Sequence, residues 1–64
     1  MIVNGMEIAL GEACTLLAFL DRGGYDAARV AVEKNGEIVS KSSFDSEMLC
    51  DGDKLEIVAF IGGG

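Results

Sequence analysis

The stretch Lys54–Ile61 constrains the fold of this chain more than any other segment. It reads as a strand that is apolar on both sides: Leu55, Ile57, Ala59 and Ile61 share one face, and Glu56, Val58 and Phe60 share the other. Alternation with one polar face suits a strand at a sheet's solvated surface, whereas a strand apolar on both faces belongs in the middle of a sheet. The whole chain has 64 residues, enough for one small domain that buries about 60% of the surface its unfolded form exposes. Half of its residues are hydrophobic, so a compact core needs no obligatory crosslink. The remaining elements must therefore be arranged around this strand. Asp51-Gly52-Asp53 leads into it. That run starts like a calcium loop, but the later ligand positions and the closing glutamate are missing, so it is read as a turn.

The other elements follow from turn chemistry and periodicity. Met1–Val3, Asn4-Gly5 and Met6–Leu10 read as a hairpin, because Asn-Gly favours the type I′ turn that matches strand twist. Met6, Ile8 and Leu10 alternate with Glu7 and Ala9, which predicts one buried face. Thr15 is a candidate N-cap for a helix of about two turns, with Leu16, Leu17 and Leu20 at helical spacing and Phe19 alongside. Gly23-Gly24 is expected to end it in a left-handed cap. Arg29–Lys34, Asn35-Gly36 and Glu37–Val39 form a second hairpin signal, with Val30 and Val32 on one face. Residues 40–47 read as an irregular crossover anchored by Phe44, and Met48-Leu49-Cys50 as a short strand.

The order is hairpin, helix, hairpin, short strand and long final strand. In so short a chain this predicts an α+β ubiquitin-like β-grasp: a mixed sheet with one short helix packed on one face, its first and last strands parallel at the centre. Residues 1–61 would form the domain and residues 62–64 a flexible glycine tail. One short helix covers only one side of a sheet. Val58 and Phe60, together with Ile61 beside the tail, are therefore candidates for an exposed apolar partner surface.

Gly62-Gly63-Gly64 adds nothing to a fold, since glycine loses more backbone entropy on ordering than any other residue. It offers a thin tail without side chains that can enter a narrow slot in another protein; a linker is the alternative reading. Eleven acidic residues oppose five scattered basic ones, for a net charge of −6. Such a surface repels nucleic acid and anionic membranes and is steered toward a basic protein surface. Two cysteines and no histidine cannot complete a structural zinc site. Reduced, buried thiols at Cys14 and Cys50 are expected, as are a cytoplasmic location and no membrane span. With no histidine and no nucleophile–base set, the chain is not expected to be an enzyme.

Two stretches resemble a known family. Residues 29–39, Arg-Val-Ala-Val-Glu-Lys-Asn-Gly-Glu-Ile-Val, are similar to the middle hairpin of the ThiS family, the sulfur carriers of thiamine biosynthesis. Residues 51–64, with the Asp-Gly-Asp turn and the terminal glycines, resemble that family's C-terminal signature. The resemblance implies that the carboxylate of Gly64 is the working group, with Gly62 and Gly63 as its recognised stem. It implies adenylation with ATP by a ThiF-type adenylating enzyme, conversion to a thiocarboxylate by a sulfur donor such as a cysteine desulfurase, and delivery to thiazole synthase (ThiG). The carrier would bind no cofactor of its own. The small subunit of molybdopterin synthase is the nearest rival reading, although its tail carries prolines and this chain has none. Other sulfur carriers, and a β-grasp interaction module with an inert tail, remain open alternatives.

Overall fold

The computed structural model describes residues 1–60. Among these residues there are seven strands: β1 (Ile2–Val3), β2 (Met6–Glu7), β3 (Cys14–Thr15), β4 (Val30–Lys34), β5 (Glu37–Val39), β6 (Met48–Leu49) and β7 (Lys54–Ala59). One α-helix, α1 (Leu16–Arg22), lies between β3 and β4, and two single 3₁₀ turns cover Ala27–Arg29 and Lys41–Ser43. A five-stranded sheet runs in the order β2-β1-β7-β4-β5, and β3 pairs separately with β6. The final strand is central as its composition requires, parallel to β1 and antiparallel to β4. Helix and mixed sheet form the expected β-grasp.

Both hairpins turn on Asn-Gly with positive φ at each residue, Asn4 at 50° and Gly5 at 82°, Asn35 at 53° and Gly36 at 86°. This is the type I′ geometry that a right-twisted two-residue hairpin favours. The helix starts where Thr15 caps it, its Oγ1 accepting from Ala18 N at 3.1 Å. It ends in a Schellman motif: Tyr25 N donates to Leu20 O at 2.9 Å and Gly24 N to Asp21 O at 3.2 Å. The left-handed residue is Gly24 at φ +80°, while Gly23 stays right-handed. Leu16 and Leu20 point into the core with Val3, Val30, Val32, Phe44, Leu49, Leu55 and Ile57.

Three expectations need correction. The strand after the first hairpin is only Met6–Glu7, and Met6 is exposed. Met6 sits on the sheet's edge strand, beyond the reach of one short helix. Ile8 and Met1 exchange backbone bonds, and then Leu10 N turns to the carboxylate of Asp51 at 3.1 Å, so no ladder forms beyond. Ile8 and Leu10 still pack against the core. Cys14 is buried but Cys50 is exposed, because Leu49 takes the inward position and Cys50 opens the Asp51-Gly52 turn. Ala59 is exposed although it shares a face with Leu55 and Ile57. By Ala59 strand β1 has ended, leaving that corner of the sheet uncovered.

A polar network ties the second hairpin to the crossover and the last turn. Lys34 lies on the core face at the end of β4, and its ammonium donates to Glu47 Oε2 at 2.8 Å and to Met48 O at 3.0 Å. Asp53 accepts from the Asn35 amide at 3.0 Å and from Cys50 N at 2.8 Å. The Asn35 hydrogen bond, followed by the Cys50 amide and the Lys34 charge, holds the Asp53 carboxyl below its ordinary value of 3.8, against the upward push of burial. The hydrogen bond to Glu47 raises Lys34 above 10.5, with burial opposing. A depressed carboxyl stabilises the fold above its unfolded pKa and loses that contribution as pH falls through the folded value. The Lys34 contribution is complete below 10.5 and is lost as pH rises through its raised folded value. Asp53→Asn should therefore lower the melting temperature at neutral pH. The gap from wild type should start to narrow as pH falls through the ordinary value of 3.8 and close only below the depressed folded value, where the wild-type carboxyl also becomes neutral. Thermal melts of both proteins across an acid pH series measure that gap.

Candidate interaction face and strand exit

The site is built around the second half of β7. Register fixes which way its groups point. Phe60 N donates to Arg29 O at 2.8 Å, and Asn35 N to Lys54 O at 2.8 Å. Even-numbered residues of β7 thus hydrogen-bond toward β4, and odd-numbered ones toward β1. Strand β1 is too short to serve all of them. Its last residue, Val3, pairs with Leu55, and Asn4 N donates to Leu55 O at 2.9 Å. The Asn4 side chain then takes the place of a further strand residue. Its Nδ2 donates to Ile57 O at 3.1 Å, and its Oδ1 accepts from Ile57 N at 2.6 Å. One asparagine therefore makes the hairpin turn with its backbone and closes the central ladder with its amide.

Beyond that clamp the N–H and C=O of Ala59 face the side where β1 has already ended. The strand runs on past the body of the sheet at Phe60. Its inward residues Leu55 and Ile57 are buried, while Val58 is 59% and Phe60 60% exposed. Phe44 leaves them uncovered: it is buried in the helix-side core, where its carbonyl accepts from Leu17 N at 2.8 Å. Ala31 lies beside Val58 on β4, and Ile38 of β5, 80% exposed, lies on the same open face. Exposed apolar residues gathered on one face, here interspersed with Glu33 and Glu56, mark an interaction surface on a small protein.

The structure therefore brings Val58 and Phe60 together on one open face. Ile61, Gly62, Gly63 and Gly64 lie outside the described residues. The Asn4 clamp had no signal in the sequence beyond an asparagine suited to a turn. Among the described residues, no group of three or more His, Cys, Asp or Glu side chains gathers as a metal ion would require. A depression of about 480 Å³ beside β5 is lined by Lys34, Asn35, Ser43 and Glu47 among others. Its ammonium and carboxylate are already paired at 2.8 Å. No helix among the described residues is long and apolar enough to cross a membrane.

Comparison with known proteins places the chain in a family. The ThiS family profile matches residues 2–64. A thiazole synthase of Paramagnetospirillum magneticum is 52% identical over 64 residues, covering all of this chain but 20% of that protein. The chain thus spans about a fifth of that relative's length. The sulfur carrier protein ThiS of Bacillus subtilis is 51% identical over 35 residues, 55% of this chain and 53% of that one. The crystal structure of a thiamine biosynthesis protein (ThiS) from Geobacter metallireducens superposes with a TM-score of 0.78 at 33% identity, covering 98% of this chain and 96% of that one.

The two faces of β7 should respond oppositely to a buried charge. Val58→Asp and Phe60→Asp should keep a cooperative melt within a few degrees of wild type. Ile57→Asp, only one position away, should abolish it, because an unpaired carboxylate in the core costs several kcal/mol. Circular dichroism melts of the three variants test this.

Proposed function

The chain belongs to the ThiS family, and from that premise we propose that it is a sulfur carrier of thiamine biosynthesis, not itself a catalyst. The observation that carries this reading is the geometry of β7. A strand locked at the centre of the sheet leaves it beside exposed Val58 and Phe60, and in the sequence Ile61 and Gly62-Gly63-Gly64 follow. In this reading the Gly64 carboxylate attacks the α-phosphorus of ATP on a ThiF-type adenylating enzyme. Pyrophosphate leaves, and the acyl adenylate is a mixed anhydride whose good leaving group is AMP. The outer sulfur of a persulfide, formed from cysteine by a desulfurase, displaces AMP. A thiol then cleaves the resulting acyl disulfide and leaves a thiocarboxylate on Gly64. That sulfur passes to thiazole synthase, a destination supported by the 52% identity to a protein of that name.

Glycine suits this task. Three extended residues reach about 10 Å, enough to carry a carboxylate from the domain into a buried nucleotide pocket. A Cβ on Gly63 would widen the tail and restrict its dihedrals where an enzyme grips the backbone. Val58, Phe60 and Ile61 would seat the domain on its partners while the tail is engaged. ATP belongs to the activating enzyme, and the carrier holds no cofactor. The cytoplasm, where ATP and reduced thiols are at hand, is the proposed location.

Incubation with a ThiF-type enzyme, ATP, a cysteine desulfurase and cysteine should raise the intact mass by the difference between sulfur and oxygen. Absence of both AMP formation and that mass change would overturn the carrier reading. Gly63→Ala should slow adenylation on the order of tenfold or more while leaving the melting temperature unchanged. An unchanged rate of pyrophosphate release would show that the tail is not gripped at that residue.

A further inference from the structure

The open face of the sheet carries an electrostatic conflict. Register sets Ile38, Glu33 and Glu56 in one row across β5, β4 and β7, with Ala31 and Val58 in the next. Glu33 and Glu56 are direct cross-strand partners. The hydrogen-bond alternation makes theirs a hydrogen-bonded pair, with Cα atoms about 5.5 Å apart and both side chains on the same face. Like charges placed directly opposite destabilise a sheet. Among the described residues the ion pairs join the N-terminal ammonium to Asp51, Arg29 to Asp26, and Lys34 to Glu47 and Asp53. None of them involves Glu33 or Glu56. Lys54 lies on the same face two residues before Glu56 and makes no ion pair with either.

A carboxylate pair without an ion-pair partner, with Ile38 in its row and Ala31 and Val58 in the next, selects its occupant. Stacking a second copy on this face would bring four carboxylates together between two chains that each carry a net charge of −6. Anionic surfaces are disfavoured for the same reason. A cation flanked by apolar groups fits. Arginine fits better than lysine, because its planar fork can donate to two carboxylates at once and its faces tolerate apolar neighbours.

We propose that the Glu33–Glu56 pair is the recognition point for an arginine on the activating enzyme. That arginine bridges the two carboxylates while Ile38, Val58 and Phe60 seal the contact against water. This rests on the carrier reading and names the chemistry of its partner surface. The conflict in the free protein is relieved when the partner's guanidinium arrives, so the pair costs fold stability and contributes affinity and association rate.

The test separates the two quantities. Glu56→Lys turns the repulsive cross-strand pair into an attractive one, and Glu33→Gln with Glu56→Gln removes the charge. Both proteins should melt at or above the wild-type temperature. Their affinity for the ThiF-type enzyme, measured by titration calorimetry without ATP, should fall on the order of tenfold for the double glutamine variant and further for Glu56→Lys. The salt dependence of association should become shallower in both. Wild-type affinity in both variants would overturn the proposal while adenylation of the wild type, read by intact mass, still upheld the carrier reading. Lower melting temperatures would show that the pair supports the fold, and would overturn it too. Dimerisation of the wild type through this face would assign the surface to a second copy. A wild type that neither binds nor is adenylated would remove the carrier reading and this proposal together.

Discussion

Everything in this fold depends on the insertion of β7 between β1 and β4. That strand joins the two ends of the described chain, so Ile2 pairs with Lys54 and Val3 with Leu55 across the whole sequence. Closing so long a loop costs entropy that only burial can offset. The burial comes from the same residues: Val3, Leu55, Ile57, Val30 and Val32 form the sheet's contribution to a single core beneath α1. The parallel contact is short, two register pairs, and the Asn4 side chain extends it by holding both polar groups of Ile57. The central strand is thus fixed on both edges as far as Ile57, and by β4 alone from there to Ala59.

The helix is held by the crossover as much as by its own sequence. Seven residues are too few for an independently stable helix. Its first three amide donors are all satisfied from outside the helix: Leu16 N by Glu47 O at 2.7 Å, Leu17 N by Phe44 O at 2.8 Å, and Ala18 N by Thr15 Oγ1. The small β3–β6 pair brings the crossover to this place. Lys34 fastens the far side of the same segment through Glu47 and Met48. A polar stretch with one buried aromatic, Phe44, therefore serves as the second wall of the core and the N-terminal support of the helix.

One helix on one face leaves the other face of the sheet open, and this asymmetry links fold to function. The inner half of β7 secures the domain, and its outer half presents Val58 and Phe60. Under the proposed carrier role this division has a use, because the surface offered to partners can be optimised without disturbing the core. Acidic residues interspersed with exposed apolar ones keep such a face soluble and bias it toward basic partners.

Much of this was legible in the residues themselves. The two Asn-Gly turns, the Thr15 cap and the alternation of Val30 with Val32 are local signals, and each element formed where its chemistry required. The two-faced apolar character of Leu55–Phe60 determined that the last strand is central, because only an interior strand has use for such a pattern. The exposure of Met6, Cys50 and Ala59, the pairing of β3 with β6 and the Asn4 clamp were decided only by tertiary structure. The physical reason is that burial and hydrogen bonding at those positions depend on which distant segment arrives beside them. The strand following Asn4-Gly5 has an apolar alternation that any sheet could bury, but the helix does not extend over its edge. Nor does a glutamate read along the chain reveal that another glutamate will stand opposite it. Local propensity sets what each segment can become; register between segments distant in sequence sets which side chains meet.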